Sequence, residues 1–209
     1  MHTNKVGNVY FTAGFRSVLW NTLEYENASL AGVGKLLATQ PVVIAYLFDR
    51  LIDACGGAAS YDDMSVNVII ETLGVNGVGR LLGPIVEIPL QQKQAWRDRT
   101  VDACARARMM AWIADPRRDY GEIWGVSRKA QVYFLYGLVA DIVGNDDAYL
   151  QRGHEAERFF PSLDGEKLEA FRRTTELVKV FKGGETPFEA RALRRVWLDA
   201  VTKLDNIIS

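Results

Sequence analysis

The chain has few of the side chains from which metal sites and disulfide frameworks are built. Its 209 residues include two cysteines, Cys55 and Cys104, and two histidines, His2 and His154. The cysteines lie far apart without a spacing motif, which predicts reduced thiols in a cytoplasmic protein. Zinc sites use grouped cysteines and histidines, and neither type is grouped here. We therefore expect no metal and no other cofactor.

A strong charge of one sign is also missing. Lysine and arginine number 25 against 26 aspartates and glutamates, so the formal net charge is -1. This balance gives no global electrostatic argument for a nucleic acid or an anionic membrane as the partner. The charges are uneven, however, because residues 91–135 carry nine basic and five acidic side chains, a local charge of +4.

Long hydrophobic runs are absent as well. A run that is apolar apart from two tyrosine hydroxyls covers residues 132–140, whereas a helix that spans a bilayer needs about 20 apolar residues. The first residues, MHTNKVGNVYF, lack the apolar core of a signal peptide. We expect neither insertion into a membrane nor secretion.

No segment alternates apolar and polar residues in the way that predicts strands, whereas apolar spacings of three and four recur. These spacings predict an all-α fold of about nine or ten helices. A single globular domain should cover 1–209, with a possible subdivision near 83–90 and a C-terminal helical hairpin at 164–208. The helix at about 127–143 is apolar around its circumference, which is typical of a helix buried on all sides. It should form the centre of the domain.

The other predicted helices have less certain limits. A helix over 8–25 should pack through its aromatic residues, and Asp62 or Asp63 should cap a helix from about Met64 to Leu73. Frequent glycine and proline at 74–90 indicate short helical turns. Three further helices should follow, over 90–114, 117–124 and 148–160. At the C-terminal end, Thr186 to Glu189 has the pattern of a capping box with proline in the first turn.

Two related segments, AGVGKLL at 31–37 and NGVGRLL at 76–82, contain paired glycines. A phosphate-binding loop needs a glycine five positions before the glycine of its Gly-Lys pair, with four residues in between, and a Ser or Thr directly after the lysine. Ser29 and Leu36 occupy those two positions. We therefore interpret the glycines as sites of close helix packing.

Arginines are concentrated on the long helix predicted over 90–114 and just after it. Arginine and tryptophan are enriched at the residues that dominate binding energy in protein interfaces. We predict a partner-binding surface here that extends to the first turn of the central helix. Its residues are Arg97, Arg106, Arg108, Arg117, Arg118, Ser127, Arg128, Lys129 and Gln131.

The same region permits a DNA-binding interpretation. Residues 120–135 could form a helix-turn-helix, with Gly125 in the turn and a second helix whose first residues enter the major groove. The groove-facing residues would be Ser127, Arg128, Lys129 and Gln131, with Arg117 and Arg118 on phosphates. Against it, the second helix continues as an apolar rod, whereas a recognition helix keeps one face exposed. The near-neutral charge is also unfavourable, because phosphate contacts dominate affinity.

Carboxylates one helical turn apart allow a third hypothesis, a helical enzyme with acid-base chemistry. Such pairs are Asp49 with Asp53 and Asp98 with Asp102. Arginines lie near both pairs, which favours solvated surface charge. The composition and motifs together favour a non-enzymatic module for protein-protein interaction, acting as an adaptor, regulator or inhibitor of a larger assembly. The residues leave its oligomeric state open.

Overall fold

The computed structural model describes residues 9–12, 14–24, 29–37, 39–54, 65–88, 93–116, 126–142 and 165–208. These residues are almost entirely helical, which confirms the predicted all-α class. The eight α-helices in this part of the chain are α1 (Phe15–Glu24), α2 (Leu30–Leu37), α3 (Pro41–Ala54), α4 (Val66–Leu82), α5 (Lys93–Ala114), α6 (Arg128–Ile142), α7 (Gly165–Lys182) and α8 (Arg191–Ile208). A 3-10 turn, Phe188–Ala190, precedes α8.

The described residues thus contain eight α-helices rather than the predicted nine or ten. Two of the predicted helices, at 117–124 and 148–160, lie outside these residues, and so do Asp62 and Asp63. Ser65 occupies the cap of α4, where its side chain accepts a hydrogen bond from the Val68 amide. The first helix is shorter than the predicted 8–25 because α1 begins only after Gly14, whose φ is 74°.

A short strand pair joins the start of the described chain to the segment after α4. Strand β1 (Tyr10–Phe11) runs parallel to β2 (Val86–Glu87), with Tyr10 opposite Val86 and Phe11 opposite Glu87. Arg16 of α1 strengthens this junction, since its guanidinium donates to the carbonyls of Gly83 and Ile85. The sequence gives no sign of these strands, because two residues are too few to display an alternating pattern.

Helix α6 is the buried central helix that its composition predicts. Every residue from Ala130 to Ala140 is buried. The Ser127 hydroxyl accepts a hydrogen bond from the Ala130 amide and caps the first turn. The helix packs most extensively on α5 and also contacts α3, α4 and α7. It therefore has neighbours on several sides, as a helix without a polar face requires.

The predicted short turns at 74–82 belong to α4, which is interrupted at Gly74. Gly74 has φ 64° and ψ 171°, a combination that is not helical and is readily adopted only by glycine. Residues Val75 to Leu82 then continue as a second helical piece. Both paired-glycine segments lie on helices that pack together, α2 and α4, and a Cβ on Gly79 would lie 3.4 Å from the Leu23 side chain.

The last two helices pack mainly on α5 rather than on each other as an antiparallel hairpin. Helix α7 ends where predicted, with Gly184 at φ 86° and the Glu185 amide bonded to the Val180 carbonyl. The predicted capping box does not form, because no side chain caps the 3-10 turn. The Thr186 hydroxyl instead accepts a hydrogen bond from Arg194.

A contiguous apolar core contains side chains from all eight of these helices. A smaller cluster joins Met109 of α5 to Val178 and Phe181 of α7 and Leu193 of α8. No single helix in the described ranges combines the length and apolar character of a bilayer span. Two helical segments, Leu30–Leu37 and Pro41–Phe48, meet that test only as a pair bent by 118°.

Candidate partner-binding surface

Helix α5 carries three arginines of the predicted surface and places them in different environments. Arg97 and Arg106 are half-buried, whereas Arg108 is only 6% exposed. The positive charge of Arg108 lies near the buried Cys104, one turn earlier on the helix. Arg108 therefore belongs to the interior between α5 and its neighbours, and its guanidinium is not available to a partner in this conformation.

The buried Cys104 thiol and the Arg106 guanidinium have perturbed acid-base properties. Burial raises the pKa of Cys104, and the nearby Arg108 charge only partly offsets that rise. Burial lowers the pKa of Arg106, and the carboxylate of Asp102 partly offsets the fall. In both cases, loss of water around the group disfavours its charged form.

Arg106 also connects α5 to α7. Its guanidinium carbon lies 5.6 Å from the centre of the Phe171 ring, within the range of a cation-π contact. The Phe171 ring in turn meets Tyr136 of α6 edge-on, with the ring centres 6.5 Å apart. Arg106 thus has a structural role at the meeting point of three helices.

The start of α6 presents a small exposed group to solvent. Ser127 is half-buried by its capping role, and Arg128 and Lys129 are exposed. The Lys129 ammonium lies 5.7 Å from the centre of the Tyr133 ring. Residues 117–125 of the predicted DNA-binding segment lie outside the described chain, and within its described part these three residues are accessible.

Gln131 is in the interior rather than on a groove-facing surface. It is 1% exposed, and its amide oxygen accepts a hydrogen bond from the Asn67 amide at 3.1 Å. Its amide nitrogen donates to the Val126 carbonyl at 3.2 Å. Gln131 therefore ties α6 to the first turn of α4, and its burial keeps its amide out of reach of a DNA base.

The structure does not gather the predicted residues into one patch. Arg97 and Arg106 are separated by about 13 Å along α5, at about 1.5 Å per residue. The exposed start of α6 lies beside α4, as the Gln131 bond shows. Arg117 and Arg118 lie outside the described residues. Among the predicted residues, Arg97 lines a concave surface.

That surface is a cleft of about 400 Å³ between α5, α8 and the end of α7, which we call the α5/α8 cleft. Its apolar lining comes from Val101, Trp197 and Val201. Its charged lining consists of two cations and two carboxylates, namely Arg97, Lys182, Asp98 and Asp102. The cleft is thus locally neutral, and Lys182 forms an ion pair with Asp102 across one end.

Trp197 lines the cleft from α8. Its indole stacks at an angle on Phe181, with ring centres 5.7 Å apart. The indole nitrogen is buried and has no hydrogen-bond partner among the described residues, so the ring offers the cleft apolar surface rather than an exposed donor.

Asp98 and Asp102, one of the carboxylate pairs of the enzyme hypothesis, are therefore part of this cleft. The side chains of Asp49 and Asp53, the other pair, lie outside the description. Among the described residues, no group of three or more histidine, cysteine or acidic side chains could hold a metal ion.

A second surface, on the outer side of α8, was missed from the sequence. Phe188 is 77% exposed and Leu198 is 45% exposed, which is unusual for large apolar side chains. The helical pattern of α8 assigns its apolar stripe to Leu193, Ala200 and Leu204, which are buried. Phe188 and Leu198 lie outside that stripe. Apolar residues outside the buried stripe were the feature of the sequence that could have revealed this surface.

Comparison with known proteins gives no further indication of identity. No protein-family model matches the chain, and neither a curated protein nor a solved structure matches it.

Proposed function

We propose that this protein is a cytoplasmic protein-interaction module that binds a segment of its partner in the α5/α8 cleft. The observation that carries the proposal is the position of Arg97 and Trp197 on opposite helices of one cleft. Arginine and tryptophan are the residue types most enriched among those that dominate interface energies. Through this contact the protein would act as an adaptor, regulator or inhibitor of a larger assembly.

The chemistry of the cleft indicates what part of a partner it would hold. Its volume of about 400 Å³ accommodates a few side chains, and clefts between helices are frequent binding sites. Val101, Trp197 and Val201 supply apolar contact. Equal numbers of cations and carboxylates favour an anchor with little net charge of its own.

The proposal can be tested by affinity purification from the native host with a pair of matched variants. Arg97→Glu reverses one charge in the cleft, and Arg173→Glu makes the same change on the exposed face of α7. We expect Arg97→Glu to lose a set of co-purifying proteins that wild type and Arg173→Glu both retain. Identical capture by all three proteins would contradict the placement in the cleft, and no specific capture by wild type would contradict the function.

The DNA-binding alternative has its own test, which uses the exposed start of α6. Fluorescence polarisation at low salt against random duplex DNA would compare wild type with a Arg128→Glu, Lys129→Glu double variant. The interaction-module proposal predicts no binding by either protein. Tight binding that the double variant abolishes would favour the DNA-binding regulator, because phosphate contacts dominate such affinity at low salt.

A further inference from the structure

The outer side of α8 and the turn before it form an exposed surface, which we call the α8 ridge, made of Phe188, Arg191, Arg195 and Leu198. Arg191, Arg195 and Leu198 follow one another at spacings of four and three, so they lie on one face of the helix. Arg191 holds the Phe188 ring in place, with its guanidinium carbon 4.6 Å from the ring centre.

Among the described residues, no ion pair holds the cations of the α8 ridge. Neither Arg191 nor Arg195 forms an ion pair with any described residue, and both are exposed. Asp199 lies one turn after Arg195 but pairs with Lys203 at 3.0 Å. The ridge therefore combines two guanidinium groups with two exposed apolar side chains.

We infer that the α8 ridge binds an acidic segment of a partner protein that also carries an apolar side chain. The carboxylates of that segment would pair with Arg191 and Arg195, whose planar guanidinium groups suit bidentate hydrogen bonds. The apolar side chain would lie between Phe188 and Leu198. The inference rests on the proposed function as an interaction module, but it concerns a different face of α8 from the α5/α8 cleft.

The order of the Phe188 and Arg191 side chains favours binding. Ordering a flexible side chain at an interface costs conformational entropy. The stacking of Arg191 on Phe188 already restricts both side chains in the free protein, so part of this cost is absent on binding. Phenylalanine also presents a large rigid apolar area, which makes Phe188 the expected anchor of the contact.

Charge selects an acidic protein segment over other occupants. A second copy related by a two-fold axis would place the same basic ridge against itself and bring arginine close to arginine. Insertion into a membrane surface requires the apolar face of an amphipathic helix. That face of α8 is already used, because Leu193, Ala200 and Leu204 are buried in the fold.

The inference can be tested with a phage-displayed library of random 12-residue peptides selected on the whole protein. We expect the enriched peptides to contain acidic residues beside an apolar one. Synthetic copies of these peptides would then be titrated by fluorescence polarisation. The Arg191→Glu, Arg195→Glu double variant and Phe188→Ala should each weaken binding by at least about tenfold, the effect of losing an interface residue that dominates binding.

The matched control is an Arg172→Glu, Arg173→Glu double variant, which reverses two neighbouring exposed charges on α7. It should bind the peptides as wild type does. Peptides whose acidic residues are changed to lysine should bind the Arg191→Glu, Arg195→Glu double variant better than wild type. Such a gain would show that the variant is folded and that charge determines which peptide binds. Raised salt should weaken the wild-type contact, because exposed charges are screened.

Several results would overturn the inference. These are enrichment of peptides without acidic residues, no enrichment at all, or equal affinity of ridge variants and wild type. Binding to phosphatidylserine vesicles or to duplex DNA that only the ridge variants lose would assign the surface to a different partner class. Peptides that depend on Arg97 but not on the ridge would refute this inference and leave the proposed function supported.

Discussion

Gly137 of α6 lies directly against Ala107 of α5, within the most extensive contact between two helices of the described chain. A Cβ atom on Gly137 would lie 3.1 Å from the Ala107 Cα atom and 2.8 Å from the sulfur of Met110. The first of these contacts involves backbone, which cannot rotate away as a side chain can. The absence of a side chain at position 137 therefore sets how closely α5 and α6 approach.

Substitution of this glycine by alanine should destabilise the protein despite the higher helix propensity of alanine. Alanine gains about 0.5–1 kcal/mol over glycine inside a helix, whereas overpacking a core costs about 1–3 kcal/mol. We expect Gly137→Ala to lower the free energy of unfolding in urea. Gly165→Ala is the matched control, since a Cβ there meets no atom within 4 Å, and its stability should not fall.

The buried Gln131 should contribute more to the stability of the fold than an exposed glutamine does. Gln131→Ala would remove the hydrogen bonds to the part-buried Asn67 amide and Val126 carbonyl, each of which contributes about 0.5–1.5 kcal/mol. The control is Gln94→Ala, which removes an exposed hydrogen bond to Asp98. Chemical denaturation should show a large loss for Gln131→Ala only, and equal losses would contradict the interior role.

A charge in the middle of α6 should prevent folding. Leu135 is fully buried, and an unpaired buried carboxylate is among the most destabilising changes known in proteins. We expect Leu135→Asp to lower the free energy of unfolding by more than about 4 kcal/mol, a loss that only such severe substitutions cause. Leu198→Asp places the same side chain on the exposed face of α8 and should keep its circular dichroism spectrum and thermal transition.

The buried Cys104 should make stability fall at alkaline pH. Burial raises the pKa of its thiol in the folded state, so between the unfolded and folded pKa values the unfolded chain has lost a proton that the folded chain keeps. Stability is then unaffected below the unfolded pKa of about 8.5 and declines above it, by up to about 1.4 kcal/mol per pH unit.

Urea unfolding from pH 7 to pH 10 would measure this effect as the difference between wild type and Cys104→Ala. The wild-type free energy of unfolding should fall more steeply with pH than that of the variant. Tyrosine and lysine titrate in both proteins, so their contributions cancel in the difference. In a Cys55→Ser background, Cys104 should also react slowly with a thiol reagent at pH 7. Parallel pH profiles would show that the thiol does not titrate differently in the two states.

The elements that could be predicted from sequence are those defined by local patterns. The central helix was expected at about 127–143 and is found at Arg128–Ile142, because an apolar circumference is visible without knowing the neighbours. The end of α7 at Gly183 and Gly184 could also be predicted, because glycine commonly ends a helix. Caps were predicted correctly at Ser127, where the serine stands alone, but incorrectly at Asp62 or Asp63, where Ser65 competes.

The features that could not be predicted depend on contacts between distant segments. The sequence analysis predicted Arg108 as part of the partner-binding surface, yet α5 has α6, α7 and α8 around it, and Arg108 is buried in the fold. The α5/α8 cleft likewise combines side chains about 100 residues apart in the chain. A periodic pattern along one helix carries no information about which other helix will cover it.

The pairing of β1 with β2 has a consequence for synthesis on the ribosome. The Ile88 amide donates to the Phe11 carbonyl at 2.9 Å, so this bond cannot form until Ile88 has been added to the chain. At a typical rate of about 5–20 residues per second, translation from Phe11 to Ile88 takes about 4 to 15 s. During that interval the nascent chain carries a phenylalanine whose strand partner does not yet exist, although its side chain is fully buried in the finished fold.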